Sequence, residues 1–242
     1  MNIIKLSAIN STNDFLKQLL STGNVENFTV AVAEHQTAGR GQMGAQWNAE
    51  AGKNLTFSLL IKDLLTDING IFGLNVAIAV SIAEALAEFN IEALSVKWPN
   101  DILAVNKKLG GVLIENIIKS SGDIYSVIGI GININQHDFT GLPKATSLLV
   151  AAGREFDKEE VMTAILAKIK RHTTAILNGS IDALWDTYHS MLFKKGIPMP
   201  FEKDGRQFMG IIQGVSKNGS LRLLLEDETI AEYGLKEVQL LY

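Results

Sequence analysis

Apolar and polar positions along the chain alternate between two periods. Phe28-Thr29-Val30-Ala31-Val32-Ala33 and Leu55-Thr56-Phe57-Ser58-Leu59-Leu60-Ile61 are runs of β-formers and predict strands. Ile71 to Phe89 is the longest apolar run, interrupted by Gly73, Asn75, Ser81, Glu84 and Glu88, and predicts a buried helix rather than a membrane span. Ahead of these, Phe15 to Leu20 reads as a short helix with Asn10 or Ser11 as its N-cap and Gly23 as its stop. From Tyr125 to Ile134 isoleucine alternates with small residues. That predicts a strand with one apolar face and one face open at Gly129, Gly131 and Asn133. Asn106-Lys107-Lys108 and Ser120-Ser121-Gly122-Asp123 mark tight turns. Asp157 to Glu160 reads as a capping box opening an amphipathic helix to about Leu177, and a second helix covers Ile181 to Phe193. Past Gly196 the pattern changes to short strands with the turn pairs Asp204-Gly205 and Asn218-Gly219. The expected fold is α+β: a central mixed sheet flanked by helices in residues 1–195, then a small β-barrel in residues 196–242.

Composition narrows the function classes. The chain has 242 residues and a net charge of −4, so no bulk attraction to nucleic acid is expected. It has no cysteine, which excludes disulfides, thiolate zinc sites and cysteine nucleophiles and suits a reducing cytoplasm. The first residues, Met1 to Leu6, are too short and polar for a signal peptide. A cytoplasmic protein that engages neither nucleic acid nor membrane is the expectation.

The most unusual stretch is Glu34-His35-Gln36-Thr37-Ala38-Gly39-Arg40-Gly41-Gln42-Met43-Gly44. Such a loop can be a mere strand connection. Gly39, Gly41 and Gly44 also spell a dinucleotide-binding fingerprint, but that needs a helix opening inside the motif. The following Ala45 to Lys53 is short and polar and leads into a strand. The third reading is an anion-binding lid, with bare amides beside a guanidinium.

Other segments decide among these. Lys97-Trp98-Pro99-Asn100-Asp101 sets a cation and a carboxylate on either side of a proline break; a plain turn is the alternative. Lys108 stands before Gly110-Gly111, glycines that imply close backbone approach at a strand start. Ser11, Thr12 and Asn13 serve as helix caps or as polar groups facing a ligand. Together with Gly131-Ile132-Asn133, these supply cations, amide donors, one carboxylate for Mg²⁺ and an open sheet face. That is equipment for a nucleoside triphosphate without a G-x-x-x-x-G-K-[ST] loop.

The ordered set resembles the biotin protein ligases over nearly the whole chain. Ser11-Thr12-Asn13, the glycine-arginine-glycine loop from Ala38 to Gly44, Lys97 to Asp101, Lys108 to Gly111 and Gly131 to Asn133 match the family's motifs in order. The resemblance implies a class II synthetase-like catalytic fold with an SH3-like C-terminal domain. It implies activation of biotin by ATP and Mg²⁺ to biotinyl-adenylate, then transfer to a lysine of the biotin carboxyl carrier domain of a biotin-dependent carboxylase. Ser11, Thr12, Asn13 and Gln36 would hold the ureido ring, with Gly39, Gly41, Gln42 and Gly111 around the biotin. Trp47 would cover the bicycle and touch the nucleotide. Arg40 and Lys108 would neutralise the reacting carboxylate and α-phosphate. Lys97 and Asn100 would face the triphosphate, Asp101 would hold Mg²⁺ directly or through water, and Asn133 would meet the adenine.

Two departures stand out. Family members often carry arginine right after the glycine-arginine-glycine run, where this chain has Gln42. Some relatives carry an N-terminal helix-turn-helix, whereas the ligase motif here starts at Ser11, so a monofunctional enzyme, monomer or homodimer, is expected. The rivals are a lipoate ligase, similar in fold, and a non-catalytic biotin sensor, which would have no use for Lys108 and Asp101.

Overall fold

The computed structural model describes residues 1–65 and 70–242. Its elements are β1 (Ile3–Ile9), α1 (Thr12–Thr22), β2 (Val30–Gln36), β3 (Leu55–Lys62), α2 (Ile71–Ala87), β4 (Leu94–Lys97), β5 (Asp101–Ala104), β6 (Lys107–Ile118), β7 (Ile124–Ile132), α3 (Leu148–Ala152), α4 (Lys158–Leu177), α5 (Asp182–Ser190), β8 (Pro198–Lys203), β9 (Arg206–Val215), β10 (Leu221–Leu225), β11 (Ile230–Tyr233) and β12 (Gln239–Leu240). A seven-stranded sheet runs β1-β2-β3-β7-β6-β5-β4, and a five-stranded sheet runs β11-β10-β9-β8-β12. Among the described strands only β1 and β2 pair in parallel, so the large sheet is mixed; the small one is antiparallel throughout. The α+β expectation, with a separate C-terminal β-structure, is borne out.

α2 has no polar face because it has no wet face. Leu74, Ile78, Ile82 and Leu86 recur every four residues and are fully buried, and the helix lies against the sheet, α4 and α5. Each such side chain contributes roughly 1.5–3 kcal/mol by leaving water. The other face of the sheet is covered only in part. There α1 sets Leu16 and Leu20 on Ala31, Leu60 and Val127. Ser11 caps α1 by accepting from the Asp14 N–H at 3.4 Å, and Asp157 caps α4 by accepting from Glu159 and Glu160. α1 begins beside Gly129, where Asn13 sits, and runs on over Val127, so it does not cover the end of β7 past Gly129.

The sequence pattern did not mark β1 or the five-residue α3. β1 is a partly exposed edge strand, so its apolar positions follow no clean period of two. α3 is too short to show helical periodicity.

The two sheets are joined around α5. The ring of His189 accepts the Val215 N–H at 3.1 Å, and burial pushes its pKa down, outweighing a hydrogen bond to Val215 that raises it. Beside it Tyr188 is buried and its hydroxyl has no hydrogen-bond partner among the described residues. Burial alone raises its pKa. Replacing Tyr188 with phenylalanine removes a desolvated donor while keeping the ring against Phe72 and Trp185. The variant is expected to gain about 0.5–1 kcal/mol and melt about 2–4 °C higher. A lower melting temperature would mean that the hydroxyl is satisfied after all.

Candidate active site

The uncovered face of β7 is the floor of a cavity of about 290 Å³. Period-two alternation points Gly129 and Gly131 to this side and Ile128, Ile130 and Ile132 into the core. Both glycines are needed for close approach. A Cβ on Gly129 would lie 2.6 Å from Asn13 Oδ1, and one on Gly131 would lie 2.5 Å from the Trp47 ring. The open face of this strand is therefore a helix seat at Gly129 and a pocket floor at Gly131.

One end of the cavity is neutral and polar. Ser11, Thr12 and Asn13 open α1 and are 4%, 2% and 3% exposed. Gln36 Oε1 accepts from the Thr12 N–H at 2.7 Å and from Thr12 Oγ1 at 3.0 Å, which fixes the amide and leaves its NH₂ directed elsewhere. Ser58 Oγ lies 2.7 Å from Thr12 Oγ1 and 2.5 Å from Asn13 Oδ1. Such a satisfied network fixes donors and acceptors for a planar polar ligand before it arrives.

The other end is cationic. Strand β5 starts at Asp101, directly opposite Lys97 on β4 and Gly111 on β6. A register shift between Ile102 and Leu103 leaves Leu109 as an extra residue on β6. Lys108 then reaches Asp101 Oδ1 at 2.7 Å, while Lys97 reaches Asp101 Oδ2 at 3.4 Å. One carboxylate holds two ammonium groups apart and in place. Gly111 keeps room beside them, since a Cβ there would sit 3.6 Å from Lys108 Nζ and from Asp101 Oδ1. The turn itself is braced from three sides. Asn75 on α2 donates to the Pro99 carbonyl at 2.8 Å, Trp98 Nε1 donates to the Gly219 carbonyl at 2.9 Å, and Asn100 donates to the Val112 carbonyl at 2.6 Å.

The glycine loop closes the third side. It contains no α-helix, only a single 3₁₀ turn over Gln42–Gly44, in keeping with rejection of the dinucleotide fingerprint. Arg40 pairs with Gln46 across the loop, Gly41 N–H donates to the Ala45 carbonyl at 2.7 Å, and Trp47 N–H donates to the Gly39 carbonyl at 2.9 Å. Trp47 lies over Gly131, and its indole N–H is buried with no partner among the described residues. The Arg40 guanidinium is parked on Asp14, with Glu115 Oε2 at 3.7 Å. Lys17 completes this cluster at 2.9 Å from both carboxylates. Burial opposes the charge on Lys17, but Glu115 and Asp14 outweigh it and hold its pKa above the ordinary value.

Of the residues expected from sequence, Ser11, Thr12, Asn13, Gln36, Arg40, Gly41, Gln42, Trp47, Lys97, Asn100, Asp101, Lys108 and Gly111 meet around this one cavity. Two do not line it. Gly39 lies behind the loop, where a Cβ would sit 2.4 Å from the Trp47 carbonyl oxygen. Asn133 is buried and spends its amide on the Thr146 carbonyl at 2.9 Å, tying down the segment beside Lys108. Sequence reasoning missed Ser58, Asp14, Lys17 and Glu115. Ser58 had a signal, being polar and in step with Thr56 inside an apolar strand. So did Glu115, in step with Gly111 along β6.

Comparison with known proteins agrees with this geometry. Residues 6–135 match the Biotin/lipoate A/B protein ligase family. The chain is 32% identical over 228 residues to the bifunctional ligase/repressor BirA of Bacillus subtilis, covering 91% of this chain and 69% of that protein. It is 30% identical to the biotin--[acetyl-CoA-carboxylase] ligase of Mycobacterium tuberculosis, covering 91% of this chain and 82% of the relative. The structure of a biotin protein ligase from Aquifex aeolicus in complex with biotin and ATP superposes with a TM-score of 0.82 at 30% identity, covering 99% of this chain and 98% of that one. No helix among the described residues is long and apolar enough to cross a membrane.

Proposed function

The chain belongs to the biotin/lipoate A/B protein ligase family, and we propose that it is an ATP-dependent biotin protein ligase. It joins biotin to AMP as biotinyl-5′-AMP, releases pyrophosphate, and passes biotin to a lysine of a biotin carboxyl carrier domain. The observation that carries this reading is the division of one cavity into a neutral hydrogen-bonding end at Ser11, Thr12 and Gln36 and a cationic end at Lys97 and Lys108.

The neutral end suits the ureido ring. Ser11 Oγ and the Gln36 amide are fixed by α1, and leaving them unpaired would penalise any ligand without matching groups. Trp47 covers the apolar part of the ligand above Gly131. At the cationic end a carboxylate must approach a phosphate that repels it. Lys108, with Arg40 from the loop, supplies positive charge between the two anions, and the loop restricts water. The AMP mixed anhydride then faces the incoming lysine amine, which attacks the carbonyl carbon as AMP leaves. Residues 1–195 form the catalytic unit on this reading, and residues 196–242 the SH3-like one.

Mg²⁺ fits only as part of the nucleotide. Among the described residues no cluster of three or more His, Cys, Asp or Glu is placed to hold a metal. Among the described residues Asp101 is the single carboxylate lining the cavity, and it already faces two lysines. That suits an ion bound mainly by phosphates and water, with Asp101 orienting it or its waters.

The direct test is incubation with biotin, MgATP and an apo carrier domain, followed by mass measurement. A carrier heavier by one biotinyl group is expected, with no addition from lipoate. No mass gain, with ATP intact, would sink the reading. A second expectation concerns Gln42, which lines the cavity where relatives of this type often add charge. Retention of the adenylate is then weaker, and bystander lysines acquire biotin. Gln42→Arg is expected to cut that stray labelling about fivefold; equal labelling would dispose of the idea.

A further inference from the structure

A chain of hydrogen-bonded side chains runs from β6 to the neutral end of the cavity. Glu115 starts it. Its Oε1 takes Lys17 at 2.9 Å, and its Oε2 accepts from Asn13 Nδ2 at 2.7 Å. The Leu113 carbonyl is a second, longer acceptor for the same NH₂, at 3.5 Å. With both acceptors on β6, the Asn13 amide turns its oxygen the other way, toward Ser58 Oγ at 2.5 Å. Gly129 makes the space, because a Cβ there would meet that oxygen at 2.6 Å. Ser58 is fully buried and lies 2.7 Å from Thr12 Oγ1, and Thr12 lines the cavity. Glu115 itself does not line it.

We propose that Glu115 is a positioning residue for biotin: by holding the Asn13 amide it fixes the direction of the Ser58 hydroxyl and keeps Thr12 Oγ1 free to accept a ureido N–H. The inference rests on the ligase reading of the cavity. A hydroxyl has one proton to give. With the Asn13 oxygen facing it, Ser58 spends that proton on Asn13. Thr12 then gives its own proton to Gln36 Oε1, 3.0 Å away, or to Ser58, and its oxygen stays open to the ligand. If the amide turned over, its NH₂ would donate to Ser58, and the Ser58 proton would swing to Thr12 Oγ1. That proton would occupy the acceptor the ligand needs. A ureido ring carries two N–H donors beside its carbonyl, and an N–H left unpaired in a closed pocket is penalised. A carboxylate at the far end of the chain polarises every link in the productive direction. Lys17 balances Glu115 from its other oxygen. Arg40, 3.7 Å from Oε2, can therefore leave for the adenylate without loosening Asn13.

The test is calorimetric titration of biotin into the full chain and its variants, each checked for folding by its melting curve. Glu115→Leu removes the acceptor and is expected to weaken biotin binding about five- to tenfold. Glu115→Gln keeps an amide oxygen for Asn13 Nδ2 and is expected to stay within about twofold of the parent. In a Ser58→Ala background the link is cut, so adding Glu115→Leu should change biotin affinity by less than about twofold. Should leucine prevent folding, Glu115→Met gives the same comparison with an unbranched side chain. Parental affinity in Glu115→Leu overturns the proposal. So does an equal loss in the glutamine and leucine variants, which would make charge rather than amide orientation the cause. A full loss that persists in the Ser58→Ala background also overturns it, because α1 would then have shifted as a whole. In each of these cases biotin binding by the parent chain keeps the ligase reading; a parent that does not bind biotin loses both.

Discussion

Replacing Lys108 with alanine is expected to slow biotinyl-adenylate formation by about 10²–10³-fold and to leave biotin affinity within about twofold. The two effects separate because the cavity has two ends. On the proposed reading, biotin affinity is set by Thr12, Gln36 and their hydrogen-bond partners, which do not include Lys108. On the same reading, the chemical step depends on positive charge where carboxylate and α-phosphate converge. Lys108 is held there by Asp101 at 2.7 Å, over the space that Gly111 leaves open. An ammonium positioned before the reaction needs no reorganisation during it, and that advantage appears only as charge develops. Without Lys108, Asp101 is balanced by Lys97 alone, at 3.4 Å. The surviving lysine is then partly committed to Asp101 rather than to the substrates. Rapid-quench measurement of adenylate, paired with biotin calorimetry, checks both halves. Near-parental adenylation would remove Lys108 from the chemistry. Equal losses in adenylation and biotin affinity would make it a simple binding group.

How far the sequence led follows from which residues act locally. The strands and helices of the core were legible because burial on one or two faces imposes a period: Ile128 to Ile132 on β7 and Leu74 to Leu86 on α2. The site was legible where unusual residue types crowd together, as at Lys97 to Asp101. What escaped was long-range. Nothing local says that Glu115 on β6 meets Asn13 at 2.7 Å and Lys17 at 2.9 Å on α1. A single alternation pattern cannot distinguish a helix seat at Gly129 from a pocket floor at Gly131. Asn133 shows the opposite limit. Its motif suggests a ligand, yet its amide reaches the Thr146 carbonyl, a partner 13 residues away. Trp98 likewise sits in a chemical motif and serves as a strut to Gly219 in the other sheet.

Arg40→Ala is expected to speed loss of the adenylate from the enzyme by about 10- to 100-fold while slowing its formation less than Lys108→Ala does. A charge-assisted contact to a phosphate contributes about 1.5–3 kcal/mol, roughly a 10- to 100-fold effect by itself. The groups Arg40 leaves behind push the effect toward the upper end. In the ligand-free enzyme its guanidinium lies on Asp14 and near Glu115, with Lys17 as the other cation. Removing Arg40 leaves two carboxylates facing one ammonium at the mouth of a site that must retain an anion. Repulsion then adds to the lost contact. Asp14→Asn separates the two contributions. It removes one repelling carboxylate and a competitor for Arg40, so the adenylate should dissociate more slowly than from the parent, by about threefold on the scale of a half-exposed ion pair. Stopped-flow dissociation of preformed biotinyl-AMP measures both variants. Parental dissociation from Arg40→Ala would show that the loop amides hold the phosphate unaided. Faster dissociation from Asp14→Asn would show that the acidic pair orients the arginine rather than competing for it.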